Sequence, residues 1–196
     1  MTSIALFHSV LGVRPGINAA ADLLRSHGHT VRVVDQCDGR VFDNYAEADR
    51  FATAIGYPAL MDAASRLAKD MVGRFVCAGF SNGGGMAEHV AASNPNVRGV
   101  LLLSGAMDPS VIGLGDWPKD APVQIHCTEH DPYRNQEGIE AVRRHVSASG
   151  SSVEAFDYPG RGHLFTDPSL PEEYDPISTA QLWERALEFL RRIEHK

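Results

Sequence analysis

The residues with the clearest chemical potential lie in Gly79-Phe80-Ser81-Asn82-Gly83, a G-x-S-x-G run between an apolar stretch and a helical one. A serine on so abrupt a turn can present its hydroxyl as a nucleophile. The residues two before and two after it crowd each other, and here both are glycine. A neutral hydroxyl is a weak nucleophile, so it needs a base in hydrogen-bond reach and a third group to fix that base. His163, at the end of Gly160-Arg161-Gly162-His163, is the candidate base. Asp131, in Thr128-Glu129-His130-Asp131-Pro132, is the candidate orienting acid, and Glu129 is the alternative two residues away. The chemistry such a set performs is acyl transfer through a covalent intermediate. Two competing readings of the glycine run are a flexible loop and a phosphate cradle at a helix start. The second lacks both the G-x-x-x-x-G-K-[ST] lysine and the G-x-G-x-x-G spacing.

An attacked carbonyl develops negative charge on its oxygen, which backbone N–H groups can hold. Asn82, directly after the serine, is one expected donor. The second is expected from His8-Ser9-Val10-Leu11-Gly12, supplied by Val10 or Leu11.

These residues are useful only if the chain folds them together. Residues 4–8, 30–34, 75–79, 97–103, 122–128 and 153–158 are short apolar or β-branched runs, and read as six strands. Between them, apolar residues recur at helical spacing: Ile17, Ala20, Ala21 and Leu24; Leu60, Ala64, Leu67 and Met71; Ile139, Val142 and Val146. Gly73 reads as a cap past the second of these helices, and residues 38–45 as a polar loop. Leu182, Ala186, Leu190 and Ile193 mark the last helix, with Trp183 and Leu187 widening its stripe. Alternating strands and helices without tight hairpins imply an α/β fold, a doubly wound, mostly parallel six-stranded sheet. Nothing divides the chain, so residues 1–196 are expected to form one domain. Ligands of such sheets sit beyond the carboxyl ends of the strands. Ser81, Asp131 and His163 all fall there.

Composition narrows the partners. With 43% hydrophobic and 22% charged residues, the chain has the balance of a folded globular protein. A net charge of -7 repels phosphate backbones and anionic lipid, so neither nucleic acid nor membrane is an expected partner. The start MTSIALFHSV lacks the pattern of a secretory signal, and a cytoplasmic location is expected. Cys37, Cys77 and Cys127 are odd in number and widely spaced, and read as buried free thiols. His126 and His130 are four apart on a strand and its loop rather than on one helical face, and no HExxH occurs, so no metal is expected. His8 reads as a core histidine.

HSVLGV, GFSNGGG, TEHDPY and GRGHLF, in this order, resemble the dienelactone hydrolase family of α/β-hydrolases. The resemblance spans nearly the whole chain. It implies a compact α/β-hydrolase fold without a large cap domain, and hydrolysis of small esters or lactones without a cofactor. It assigns the nucleophile to Ser81, the acid to Asp131, the base to His163, and the oxyanion donors to Val10 and Asn82. Founding members carry cysteine where this chain has Ser81, and glutamate where it has Ser9, which points away from dienelactone itself. The GFSxGG turn is also similar to the bacterial carboxylesterase and acyl-protein thioesterase group.

Pocket walls are expected from loops at the strand ends, with Leu11, Phe42, Tyr45 and Phe80, residues 107–117 including Trp117, and residues 165–174 including Phe165. The expected ligand is a small ester or lactone, and the expected assembly a monomer or small homo-oligomer. Thioester hydrolysis, acyl transfer to an acceptor other than water, and a binding protein without chemistry are the rival functions.

Overall fold

The computed structural model describes residues 1–194. Six strands form one sheet: β1 (Ser3–Phe7), β2 (Thr30–Val34), β3 (Phe75–Phe80), β4 (Val97–Leu103), β5 (Val123–Thr128) and β6 (Val153–Tyr158). They lie in the order β2-β1-β3-β4-β5-β6, and every pairing is parallel. Helices α1 (Pro15–Ser26), α2 (Tyr45–Ile55), α3 (Tyr57–Ala68), α4 (Asn82–Ser93) and α5 (Gln136–Ala148) lie in crossovers, α6 (Pro176–Glu194) follows β6, and a helix-free connection joins β4 to β5. No helix of the described residues is long and apolar enough to cross a membrane.

The period of two along each strand divides the core. Ile4 and Leu6, Val76 and Ala78, and Leu101 and Leu103 face one side, where they pack with Ala20 and Leu24 of α1 and Leu182 and Ala186 of α6. Ala5 and Phe7, Cys77, and Val100 and Leu102 face the other, against Leu60 and Ala64 of α3, Met86 and Val90 of α4, and Val142 and Val146 of α5. Burial on both faces is why β3 reads as a continuous apolar run; β5 is equally buried although Gln124, His126 and Thr128 alternate with its apolar residues. All three cysteines are buried free thiols.

Two expectations need correction. The helix expected to run to Met71 stops at Ala68, and Lys69 occupies its cap. Met71 sits in a turn whose N–H reaches the Ala68 carbonyl, Leu67 is partly exposed, and Gly73 takes its positive φ in the turn toward β3 rather than at a helix end. The second concerns α2, which lies in a stretch where no helix was expected. Only Ala48 and Ala52 are fully buried on it, with Phe51 partly buried beside them, too few large residues to show as a stripe. The signal was at its start: the Asn44 side chain accepts the Glu47 N–H at 2.9 Å, an Asn-x-x-Glu cap.

Asn44→Ala should therefore cost about 1 kcal/mol of stability. Urea unfolding should show a lower midpoint at unchanged slope.

Candidate active site

The chain leaves β3 at Phe80 and enters α4 at Asn82, so Ser81 alone makes the turn. It does so at φ 54°, ψ −121°, a conformation that side chains other than glycine rarely adopt. The strain is held from both sides. The Ser81 N–H donates to the Leu103 carbonyl at 2.8 Å, and the Ser81 carbonyl accepts the Gly84 N–H at 2.8 Å. A Cβ on Gly79 would collide with the Gly83 backbone, and one on Gly83 would collide with the His8 carbonyl. Both glycines are thus required by contact.

Two loops bring the other groups. After β5, Asp131 is held because its Oδ1 accepts the Tyr133 N–H at 2.8 Å. After β6, the Gly162 carbonyl accepts the Thr128 hydroxyl at 3.0 Å, and the Leu164 N–H donates to Glu173 Oε2 at 2.6 Å, which brackets His163. His163 Nδ1 lies 2.7 Å from Asp131 Oδ2, and His163 Nε2 lies 2.7 Å from Ser81 Oγ. A carboxylate only accepts, so the Nδ1 proton is donated to Asp131 and Nε2 is free to accept from the Ser81 hydroxyl. His163 and Asp131 are 4% and 7% exposed, so this array lies largely out of water. Glu129, the alternative acid, is exposed and lies outside the array.

Ser81, Asn82 and His163 open into a cavity of about 530 Å³, which Val10 also borders. The Leu11 N–H, by contrast, is taken by Ser9 Oγ at 3.3 Å. Ser104, at φ 60°, begins a wall that continues through Gly105, Ala106 and Met107. That wall is tied to α4 from behind. Glu88 is fully buried, and its Oε1 accepts the Met107 N–H at 2.9 Å while Oε2 has no partner.

Residues 3–194 match the family described as the dienelactone hydrolase family. The chain belongs to the dienelactone hydrolase family. Among relatives, a protein of Aquifex aeolicus (strain VF5) called "Putative carboxymethylenebutenolidase" is 22% identical over 96% of this chain and 87% of its own length. A protein of the same description from Escherichia coli (strain K12) is 29% identical over 64% of this chain and 48% of its own. The fold is shared with a dienelactone hydrolase-like promiscuous phosphotriesterase from metagenomic libraries, at a TM-score of 0.85 and 18% identity. That match covers 98% of this chain and 87% of the other. A structure called m3DLH gives a TM-score of 0.81 at 21% identity, covering 98% and 86%. As a member of the dienelactone hydrolase family, the chain is a carboxylic ester hydrolase.

Of the residues expected to wall the pocket of this dienelactone hydrolase relative, Tyr45 and Met107 do so. Leu11, Phe42, Phe80, Trp117 and Phe165 do not. All five are buried in the core. Phe42 packs on Phe51 with ring centroids 5.1 Å apart, Phe165 on Tyr158 at 5.2 Å, and the Trp117 indole N–H donates to the Ala121 carbonyl at 2.7 Å. Burial of large apolar side chains is the commoner fate, and it prevailed at each position. The walls instead include Asp49 and Tyr57, reached through the unexpected α2 and the start of α3, and Tyr133, two residues past Asp131. His8 and His126 are interior. His126 is bonded to the Tyr158 hydroxyl and to Gln124 Oε1, and burial, then the Arg185 charge, lowers it to about 3. Among the described residues no group of His, Cys, Asp and Glu is arranged to hold a metal.

Burial raises the Glu88 carboxyl from 4.5 to about 8, with the Met107 N–H pulling the other way and Asp108 adding to the rise. Between these values the folded chain keeps a proton that the unfolded chain has lost, so stability falls as pH rises through that window and levels off above it. Glu88→Gln cannot ionise. Thermal unfolding of this variant relative to the wild chain should shift in its favour from pH 5 to pH 8; parallel curves would contradict the burial argument.

Proposed function

We propose that this chain hydrolyses small carboxylic esters or lactones through an acyl-enzyme on Ser81. The 2.7 Å contact between His163 Nε2 and Ser81 Oγ, on an imidazole held by Asp131 at 2.7 Å, carries the reading. As Ser81 Oγ attacks the carbonyl carbon, its proton passes to His163 Nε2, and Asp131 stabilises the imidazolium. The carbonyl oxygen becomes an oxyanion against the N–H groups of Val10 and Asn82. The position of Val10 on the cavity, and the engagement of Leu11 N–H by Ser9, favour Val10 as the second donor. Collapse expels the alkoxide, which takes the proton from His163. Water then loses a proton to His163 and adds to the acyl carbon; collapse releases the acid and expels Ser81 Oγ, which takes that proton back from His163. No step needs a metal or an organic cofactor.

A cavity of about 530 Å³ suits a small ligand. The ester and lactone reading thus fits both the space and the family. Ser81→Ala and His163→Ala should each lower kcat for p-nitrophenyl acetate by about 10³-fold or more, and Asp131→Asn by a comparable factor. Circular dichroism should show each variant folded. Full turnover by folded Ser81→Ala or His163→Ala would sink the reading.

A further inference from the structure

Acyl transfer uses one side of the cavity, and the other side has a distinct chemistry. Tyr45 and Asp49 stand four residues apart on α2, on one helical face, and Tyr57 opens α3 beside them. All three border the cavity that holds Ser81, as does Tyr133. The Tyr45 and Tyr133 ring centroids are 5.1 Å apart, and they lie 5.9 and 4.8 Å from that of His163. Three phenol side chains and a carboxylate therefore border the space next to the reacting centre.

The charges around it are one-sided. Arg134 is the guanidinium of the lining, and it is already engaged. Its Nη1 donates to Asp157 at 2.7 Å and to the Thr128 carbonyl at 3.1 Å, while Nε and Nη2 donate to Gln136. Asp49 enters no ion pair among the described residues, and it helps to raise the Tyr57 phenol above its ordinary value, after burial itself. Behind Tyr45, both carboxylate oxygens of Glu173 accept its hydroxyl, at 2.9 and 3.0 Å. An anionic substrate would meet the Asp49 carboxylate and, among the described lining residues, no free guanidinium or ammonium group. A positive group would meet aromatic rings and an unpaired carboxylate, the environment that binds alkylammonium ions.

We infer that the wall formed by Tyr45, Asp49, Tyr57 and Tyr133 is a recognition site for a cationic group, so that the favoured substrates are esters carrying a quaternary ammonium or protonated amine. This rests on the hydrolase reading for the ester, though not for the cation.

Two esters of equal shape test it: acetylcholine, and 3,3-dimethylbutyl acetate, in which carbon replaces the charged nitrogen. At low ionic strength kcat/KM should favour acetylcholine by about tenfold or more. Asp49→Asn should shrink that ratio about fivefold or more. Asp22→Asn, which removes the same charge from an exposed position on α1, should leave the ratio as it was. Calorimetry with tetramethylammonium chloride should show binding to the wild chain and to Ser81→Ala, and weaker binding to Asp49→Asn. Equal turnover of the two esters with no tetramethylammonium binding would overturn the cation site and leave ester hydrolysis standing. Tetramethylammonium binding without turnover of any ester would support the cation site and overturn hydrolysis.

Discussion

Between the last residue of β3 and the first of α4 the chain reverses at one serine, and the reversal is possible only because Gly79 and Gly83 let two backbone segments touch. Everything in the site is placed relative to that contact. The Ser81 N–H is fixed on the carbonyl of Leu103 in the neighbouring strand, so the serine inherits the rigidity of the sheet. Packing of α4 directly above β3 and β4 then brings Asn82 to the mouth of the cavity, where the Val10 loop meets it. Local strain of this kind persists only when the surroundings over-determine it. Here the helix, two strands and the β1 loop share the task.

The proposed base and acid come from further along the chain and need a different device. Parallel pairing puts the ends of β5 and β6 side by side, with Thr128 opposite Tyr158. The loops that follow are laced together: Glu129 and His130 N–H groups donate to the Tyr158 and Gly160 carbonyls, and Thr128 holds Gly162. Asp131 and His163, 32 residues apart in sequence, therefore face each other without long flexible arms. Such preorganisation lets the array act without first being assembled.

Much of this was legible in the sequence for a physical reason. Strand runs, the G-x-S-x-G turn and the Gly-x-Gly-His loop owe their form to local rules of burial and backbone sterics, which act on neighbouring residues. The alternation of strands and helices then limits topology. The pocket walls were not legible, because an aromatic residue in a loop can face either core or cavity at the same sequence distance. Phe42 and Tyr45 show this well. They are three residues apart, yet Phe42 is packed on Phe51 while Tyr45 borders the cavity. Nor could the strained backbone of Ser104, or the burial of Glu88 behind the Met107 wall, be read from their residue types. The Asn44-x-x-Glu47 cap is the signal in the sequence that leads to α2 and so to Asp49.

The proposed chemistry needs a serine made nucleophilic by a neighbouring imidazole. The most direct measurement is covalent labelling by a fluorophosphonate probe, with the modified residue mapped by peptide mass spectrometry. The wild chain should carry one phosphonyl adduct, on Ser81, and folded His163→Ala should react far more slowly. A wild chain that stays unlabelled, or an adduct on some other serine, would contradict the account.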